Sequence, residues 1–287
     1  MKSFFFKIGC LVILFYGLTA CNENKPIIPC LSCDSSSNPI GPDPNTVVKK
    51  VLLEEFTGVR CVNCPLAKLE IDNLQSEALF GEDFIAVAYH AGFFARPYAE
   101  SQIDFRTEQG DAIIEFLDQP IGFPSGVVNR KRFSGEDDLQ IEAFATWGGF
   151  VAQELNIPAT ISLDIETTYN EASRDLNASV MLTPLENISE AISLSVLITE
   201  DDISDVQLTP DGRVDDFKQT HVFRTMLSNT FGNSINETLI VNQSVSRIFS
   251  FNLPEEWVAE KCKVVAFVHQ SENGKEVLQA EEVPLVE

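Results

Sequence analysis

The chain has 287 residues, of which 44% are hydrophobic, and its 43 acidic residues outnumber 20 basic ones, giving a formal net charge of −23 at pH 7. A chain this acidic repels phosphate backbones, and the sequence has no basic patch, so we expect no nucleic-acid binding. The length predicts two domains once a leader is removed, and the hydrophobic content is enough to bury their cores.

The first twenty residues have the features of an export signal. A basic start precedes an apolar run over residues 8–18, which is too short to cross a bilayer. The run ends in Leu18-Thr19-Ala20-Cys21, which resembles the site at which bacterial lipoproteins are acylated and cut. We therefore predict a lipoprotein signal peptide at 1–20 and a membrane anchor through lipid on Cys21. The alternative is an ordinary secreted protein that is cut nearby.

Residues 21–46 are rich in Asn, Pro, Ser and Asp without apolar periodicity, which predicts a lipidated flexible tether. Cys30 and Cys33 lie in it, either as a tether disulfide, which we favour, or as a shuttle to another site. Together with Cys61 and Cys64 they resemble a zinc pattern, but an export compartment favours disulfides, so we predict no metal and no other cofactor. A further cysteine at position 262 is expected to pack in a core.

The rest of the chain divides by its patterning into two predicted domains. Residues 47–157 alternate strands and helices, which is typical of an α/β domain. Residues 158–287 contain short alternating runs without helices, which predict a β-sandwich of immunoglobulin-like type. The first domain is expected to have strands at 51–56, 84–89 and 125–129 and helices within 61–80, 99–117 and 138–155. The second is expected to have strands at 159–168, 176–183, 192–199, 221–227, 244–251, 263–269 and 276–283.

The motif Cys61-Val62-Asn63-Cys64-Pro65 lies between a predicted strand and a predicted helix. The positive end of a helix favours thiolate over thiol, so Cys61 is expected to be an exposed nucleophile and Cys64 the thiol that resolves a mixed disulfide. Arg60 adds positive charge beside Cys61. Pro65 is tolerated there because the first N–H groups of a helix have no intrahelical partner.

This strand, loop and motif resemble the central strand and active-site turn of the thioredoxin superfamily. The resemblance implies that Glu55, six residues before Cys61, is a buried proton relay with a raised pKa. The alternative is a Glu54 or Glu55 that faces solvent at a strand end. The resemblance also implies that Phe123-Pro124 is a cis peptide, with Pro124 packing against the disulfide and shaping a substrate groove.

His90 follows the second predicted strand of the first domain. It is an auxiliary candidate, either as a base or as a metal ligand with both thiols. The alternative is a core or loop histidine held by hydrogen bonds.

Several ordered segments are similar to those of the Omp28-related outer-membrane protein family of Bacteroidetes-type bacteria. They are Glu54-Glu55-Phe56-Thr57-Gly58 with Cys61-x-x-Cys64-Pro65, His90-Ala91-Gly92, Phe123 to Arg130, Thr199 to Ile203, His221-Val222-Phe223-Arg224 and Val264 to Val268. The resemblance covers roughly residues 47–287. It implies a lipid-anchored location at the outer membrane, on its periplasmic or its outer face, and a thioredoxin-like domain followed by a β-sandwich.

Two functions compete on this basis. The first is a thiol–disulfide oxidoreductase, whose partners are exported protein thiols or an envelope redox partner. The second is a non-enzymatic binding or adhesion lipoprotein in which Cys61–Cys64 is a structural disulfide. Metal handling through Cys61, Cys64 and His90 is a third, less favoured reading.

Overall fold

A computed structural model describes residues 47–76, 78–272 and 274–286, and within them the chain forms thirteen β-strands and three α-helices. The strands are β1 (Val51–Thr57), β2 (Phe84–His90), β3 (Ser125–Val128), β4 (Ile161–Asn170), β5 (Asp175–Pro184), β6 (Ile192–Glu200), β7 (Ile203–Thr209), β8 (Gly212–Gln219), β9 (Val222–Met226), β10 (Asn233–Ile235), β11 (Val245–Asn252), β12 (Cys262–Gln270) and β13 (Val277–Pro284). The helices are α1 (Cys64–Leu74), α2 (Glu108–Phe116) and α3 (Trp147–Leu155). None of these helices is long and apolar enough to cross a membrane.

Eight strands form one mixed sheet in the order β13-β12-β6-β9-β2-β1-β3, with β10 pairing to β6 beside this path. The pairs β1–β2 and β2–β9 are parallel, whereas β1–β3, β6–β9, β6–β12 and β12–β13 are antiparallel. At the β2–β9 pair, Ala88 lies opposite Val222, and the Ala88 N–H donates to the His221 carbonyl at 2.8 Å. The sheet therefore joins strands from both ends of the described chain.

The fold class predicted from the sequence is wrong. An α/β thioredoxin-like domain followed by a separate immunoglobulin-like sandwich does not describe a mostly stranded chain in which β9 continues the sheet of β1, β2 and β3. The physical reason is that strand patterning shows which face of a strand is buried but not which edge pairs with which. The segment bounds 47–157 and 158–287 stay a prediction.

Two apolar cores cover the faces of the sheet around β1 and β2. Every residue of both strands is buried, as expected of parallel strands that are covered on both faces. Helices α1 and α3 cover one face, where Ile71 and Trp147 pack with Val51 and Leu53. Helix α2 covers the other face together with residues of β6, β9 and β12, such as Phe267.

A third core lies between the three-stranded sheet β11-β5-β4 and the strands β6 and β12. Strand β5 alternates exposed and buried residues at its start, so Leu176, Ala178 and Val180 face this core. The buried thiol of Cys262 belongs to it and makes no disulfide within the described residues. Its place in this core confirms the predicted packing role, and burial raises the pKa of the thiol to about 12.

The ends of the described chain meet beside β1. The Gln279 side chain of β13 accepts the Lys50 N–H at 2.8 Å and donates to the Val48 carbonyl at 3.0 Å. Lys50 also pairs with Glu281 at 2.5 Å. The segment that leads into β1 is therefore held by β13.

Two predicted helices are shorter than expected because tertiary hydrogen bonds take their backbone groups. Ile141 exchanges backbone hydrogen bonds with Gly126, so α3 begins only at Trp147. The Asp205 carboxylate accepts the N–H groups of Gln102 and Ile103, and α2 begins after its N-cap residue Thr107.

Candidate functional site

Cys61 and Cys64 form a disulfide with Cα atoms 5.4 Å apart, as their spacing and the export signal predict. Helix α1 begins at Cys64 rather than at Cys61, so Cys61 lies in the loop that follows β1. The Cys64 N–H donates to Cys61 Sγ at 3.1 Å, which places an N–H of the helix start on that sulfur. Both residues are buried, with 2% of Cys61 and 3% of Cys64 exposed, so the prediction that Cys61 is exposed is wrong.

Glu55 lies beneath the disulfide. It lines a cavity of about 10 Å³ together with Cys64, and its Oε1 has no hydrogen-bond partner among the described residues. Burial raises the pKa of the Glu55 carboxyl from 4.5 to about 8, against smaller lowering effects of a Thr57 hydrogen bond and of the Lys68 charge. Glu54 is buried as well, so the alternative that these carboxylates face solvent is wrong.

Glu54 has a different environment from Glu55. The guanidinium of Arg130 makes a bidentate pair with it at 2.6 and 2.7 Å, and Tyr89 donates its hydroxyl to the same carboxylate at 3.2 Å. Glu54 therefore belongs to a satisfied ion pair in the core, whereas Glu55 makes no salt bridge within the described residues.

His90 lies opposite Thr57 in the β1–β2 register and stacks on Phe105 with ring centroids 4.7 Å apart. Neither ring nitrogen makes a hydrogen bond of standard geometry within the described residues. Burial lowers the pKa of His90 to about 4, and contacts with Gln219 and the Ala88 backbone offset this only in part. The ring is therefore neutral at pH 7, and the described residues contain no group of three or more His, Cys, Asp or Glu side chains placed to hold a metal ion.

The Arg60 side chain does not extend along the disulfide. Its guanidinium stacks on Tyr98 at 4.0 Å from the ring centroid and donates to the carbonyls of Arg96 and Pro97 at 2.6 and 2.7 Å. The charge predicted to act beside Cys61 is thus placed in the loop around Tyr98.

The Phe123–Pro124 peptide is cis, as the motif predicts. Pro124 is buried and precedes β3, whose Ser125 lies opposite Phe56 near the end of β1. The register therefore brings Pro124 to the same end of the strands as the disulfide loop. Phe123 packs there against Phe94 with ring centroids 5.4 Å apart.

Sequence reasoning missed the hairpin of β7 and β8, which covers the disulfide loop. Gln207 Nε2 donates to the carbonyls of Cys61 and Gly58 at 3.1 and 3.3 Å, and the Leu208 N–H donates to the Val59 carbonyl at 2.8 Å. Gln219 Nε2 in turn donates to Gln207 Oε1 at 2.9 Å.

The signal that indicates this hairpin is Thr209-Pro210-Asp211-Gly212, a typical turn sequence between two alternating runs. Its second strand is mostly exposed and polar, which is why apolar patterning did not reveal it. The predicted lipid site Cys21 and the pair Cys30 and Cys33 lie outside the described residues.

The chain resembles known proteins in sequence, through one family model, and in fold, through solved structures. The family model described as outer membrane protein Omp28 matches residues 119–286. HBP35 of Porphyromonas gingivalis has 18% identity and a TM-score of 0.66, with 84% of this chain and 76% of that chain covered, which shows a shared fold.

Two other solved structures resemble this chain more weakly. A domain of the outer membrane lipoprotein Omp28 from Porphyromonas gingivalis has 19% identity and a TM-score of 0.32, covering 45% of this chain and 89% of that one. The curli protein CsgC of E. coli has 14% identity and a TM-score of 0.22, covering 43% of this chain and 98% of that one. No curated protein sequence matches this chain significantly.

Proposed function

This chain belongs to the Omp28 family of outer membrane proteins, and from that premise we propose that it is a non-enzymatic binding lipoprotein in which the Cys61–Cys64 disulfide is structural. The family and the outer-membrane location predicted from the sequence are confirmed, whereas the thioredoxin-like domain is not. The lipid on Cys21 remains part of the proposal.

One observation carries the structural role of the disulfide, which is that both of its cysteines are buried beneath the hairpin of β7 and β8. Thiol–disulfide exchange requires a thiolate to reach one of the two sulfurs. Only 2% and 3% of these residues are exposed, and Gln207 and Leu208 hydrogen-bond to the loop that carries Cys61. A disulfide enclosed in this way ties the loop after β1 to the first turn of α1.

The surface near the disulfide supports the binding role. Phe93 and Ile121 are 79% and 92% exposed, and their neighbours Phe94 and Phe123 pack against each other. The Phe94–Phe123 contact brings the two loops together, and exposed apolar side chains on adjoining loops are typical of sites that contact a partner. Because these side chains sit in loops at one end of β1, β2 and β3, a rigid sheet positions them.

The test is the reduction potential of the Cys61–Cys64 pair, measured by alkylation and mass spectrometry in defined thiol buffers. The mature chain carrying Cys30→Ser and Cys33→Ser serves as the background, so that the tether thiols do not enter the equilibrium. We expect a potential below about −300 mV, as for structural disulfides. The double variant Cys61→Ser and Cys64→Ser should stay folded with a loss of about 2 kcal/mol, as the entropy of so short a loop predicts.

A second candidate function, thiol–disulfide oxidation or reduction of exported proteins, is favoured by Glu55. Its raised pKa of about 8 and its shared cavity with Cys64 suit a group that exchanges a proton with a thiol near neutral pH. In this reading Cys61 attacks, Cys64 resolves, Pro124 shapes the substrate groove, and the partner is an exported thiol protein or an envelope redox protein. A potential between about −270 and −120 mV, with Cys61 alkylated first, would establish this candidate instead.

A further inference from the structure

A pocket of about 560 Å³ lies beside the disulfide loop and has an unusual charge for this chain. Three arginines line it, Arg60, Arg96 and Arg106, together with Phe93 and Tyr98, and no acidic side chain of the described residues lines it. Acidic residues outnumber basic ones 43 to 20 over the whole sequence, so a pocket lined by three arginines and by no described carboxylate departs strongly from the average surface.

Only one of these three arginines has an acidic partner within the described residues, so two positive charges remain uncompensated. Asp104 makes a bidentate pair with Arg106 at 2.6 and 2.9 Å. Arg60 donates to backbone carbonyls, which are neutral, and within the described residues neither Arg60 nor Arg96 makes a salt bridge. Arg96 is exposed, so its donors are available to a ligand.

The loop that forms the pocket is held in place by its own contacts. Tyr98 lies under the Arg60 guanidinium at 4.0 Å, and Arg213 of β8 lies over the same ring at 5.5 Å. The Arg60 N–H donates to the Phe94 carbonyl at 2.9 Å. A site that is ordered before binding loses less conformational entropy when a ligand arrives.

We propose that this pocket binds a phosphate monoester whose carrier packs on the exposed ring of Phe93. Guanidinium groups match phosphate oxygens in bidentate geometry. A phosphate monoester has a charge of about −2 at neutral pH, which equals the two uncompensated arginine charges, whereas a carboxylate or a phosphodiester supplies only one. The volume lies within the usual range for small-ligand sites.

This class of ligand rests on the proposed binding function and makes it more specific. The same chemistry has two sources at this location, a free phosphorylated sugar or the phosphorylated headgroup of a membrane lipid. Phe93 suits both, because it can pack on a sugar ring or enter the boundary between headgroups and acyl chains.

The experiment uses the mature chain made without acyl groups. Binding of glucose 1-phosphate is measured by calorimetry, with glucose as the neutral control, and binding to vesicles is measured by sedimentation. One set of vesicles contains phosphatidic acid, a monoester, and the other contains phosphatidylglycerol, a diester, each in phosphatidylcholine. The variant Arg96→Gln removes an exposed arginine of the pocket, and Arg132→Gln removes an exposed arginine elsewhere as the matched control.

We expect glucose 1-phosphate to bind and glucose not to bind. Arg96→Gln should weaken the binding about tenfold, the effect of one charge-assisted hydrogen bond, and Arg132→Gln should leave it unchanged. Selective sedimentation with phosphatidic acid identifies a lipid as the source, and its absence identifies a soluble ligand. No binding to either monoester, or equal effects of the two arginine variants, overturns the proposal.

The two proposals fail separately. If the disulfide proves exchangeable while glucose 1-phosphate binds, the structural role of the disulfide is lost and the pocket stands. If the potential lies below about −300 mV and no monoester binds, the disulfide remains structural and the pocket is wrong.

Discussion

Glu55 shows how one buried carboxyl changes the stability of this fold with pH. Its pKa is raised to about 8 in the folded state, so the folded protein holds a proton that the unfolded chain has already released above pH 4.5. The stability that this proton contributes is fully present below about pH 4.5 and is lost as the pH rises to about 8.

We therefore expect Glu55→Gln to stabilise the protein at pH 8.5 relative to the unsubstituted chain and to have little effect at pH 4.5. The difference between the two pH values should reach at most about 5 kcal/mol. Urea unfolding at both pH values with the disulfide intact measures it, and the exposed Glu115→Gln on α2 is the control. An equal effect of Glu55→Gln at the two pH values would show that the carboxyl titrates normally.

Residues 54 and 55 also show which residue environments could be predicted from the sequence and which could not. The resemblance to the thioredoxin superfamily indicated a buried Glu55 with a raised pKa and the cis peptide before Pro124. The ion pair of Glu54 with Arg130 was not predicted, because the two residues are 76 positions apart and no local pattern relates them. Nor did the sequence indicate that Arg60 stacks on Tyr98, since a side-chain direction depends on the fold.

Among the elements, the hairpin of β7 and β8 has the most direct relation to the disulfide. The two N–H groups of the Gln207 side chain are shared among three carbonyls, those of Gly58, Cys61 and Leu208, and its oxygen accepts from Gln219. Truncating it leaves buried polar groups without partners, which costs about 1–3 kcal/mol and favours local opening of the hairpin.

We expect Gln207→Ala to speed the reduction of Cys61–Cys64 by dithiothreitol by a factor of about 5 or more. Gln153→Ala, on the exposed side of α3, should leave the rate unchanged. The rate is read from a time course of alkylation and mass spectrometry. If the two variants react alike, the hairpin does not limit access to the disulfide.

Strand positions were predicted more successfully than helix lengths. Strands β1, β2 and β3 and seven later strands lie where alternating or continuous apolar runs predict them. Helix α2 begins later than predicted because Asp205 accepts the N–H groups of Gln102 and Ile103, and a sequence window does not contain such a distant partner. Strands β7, β8 and β10 were not predicted; most residues of β8 face solvent and carry no apolar period, and β10 has only three residues.

For the whole molecule, the continuous sheet makes the first part of the chain dependent on the second. The core above β1 and β2 includes Leu197, Phe223 and Phe267, which all lie beyond residue 158. Strand β2 also loses its neighbour β9 when the chain is cut there. This dependence was not predictable from the sequence, because edge pairing between distant strands leaves no local pattern.

We expect the isolated residues 47–157 to bind 1-anilinonaphthalene-8-sulfonate and to lack a cooperative thermal transition. The reason is that an apolar face and an open strand edge are left uncovered. Residues 47–287 serve as the control and should unfold cooperatively. A cooperative transition and dispersed amide resonances for residues 47–157 would instead establish the predicted domain boundary.

The contacts of Gln279 with Val48 and Lys50 span about 230 positions of the chain. Closing so long a loop is entropically expensive, and folds with such distant contacts complete slowly. The first strand therefore cannot reach its final environment until the last strand has been synthesised. For a protein that belongs to the outer membrane, we therefore expect the start of the chain to remain without its final partners, and so able to be threaded through a translocation channel, until almost all of the chain has been made.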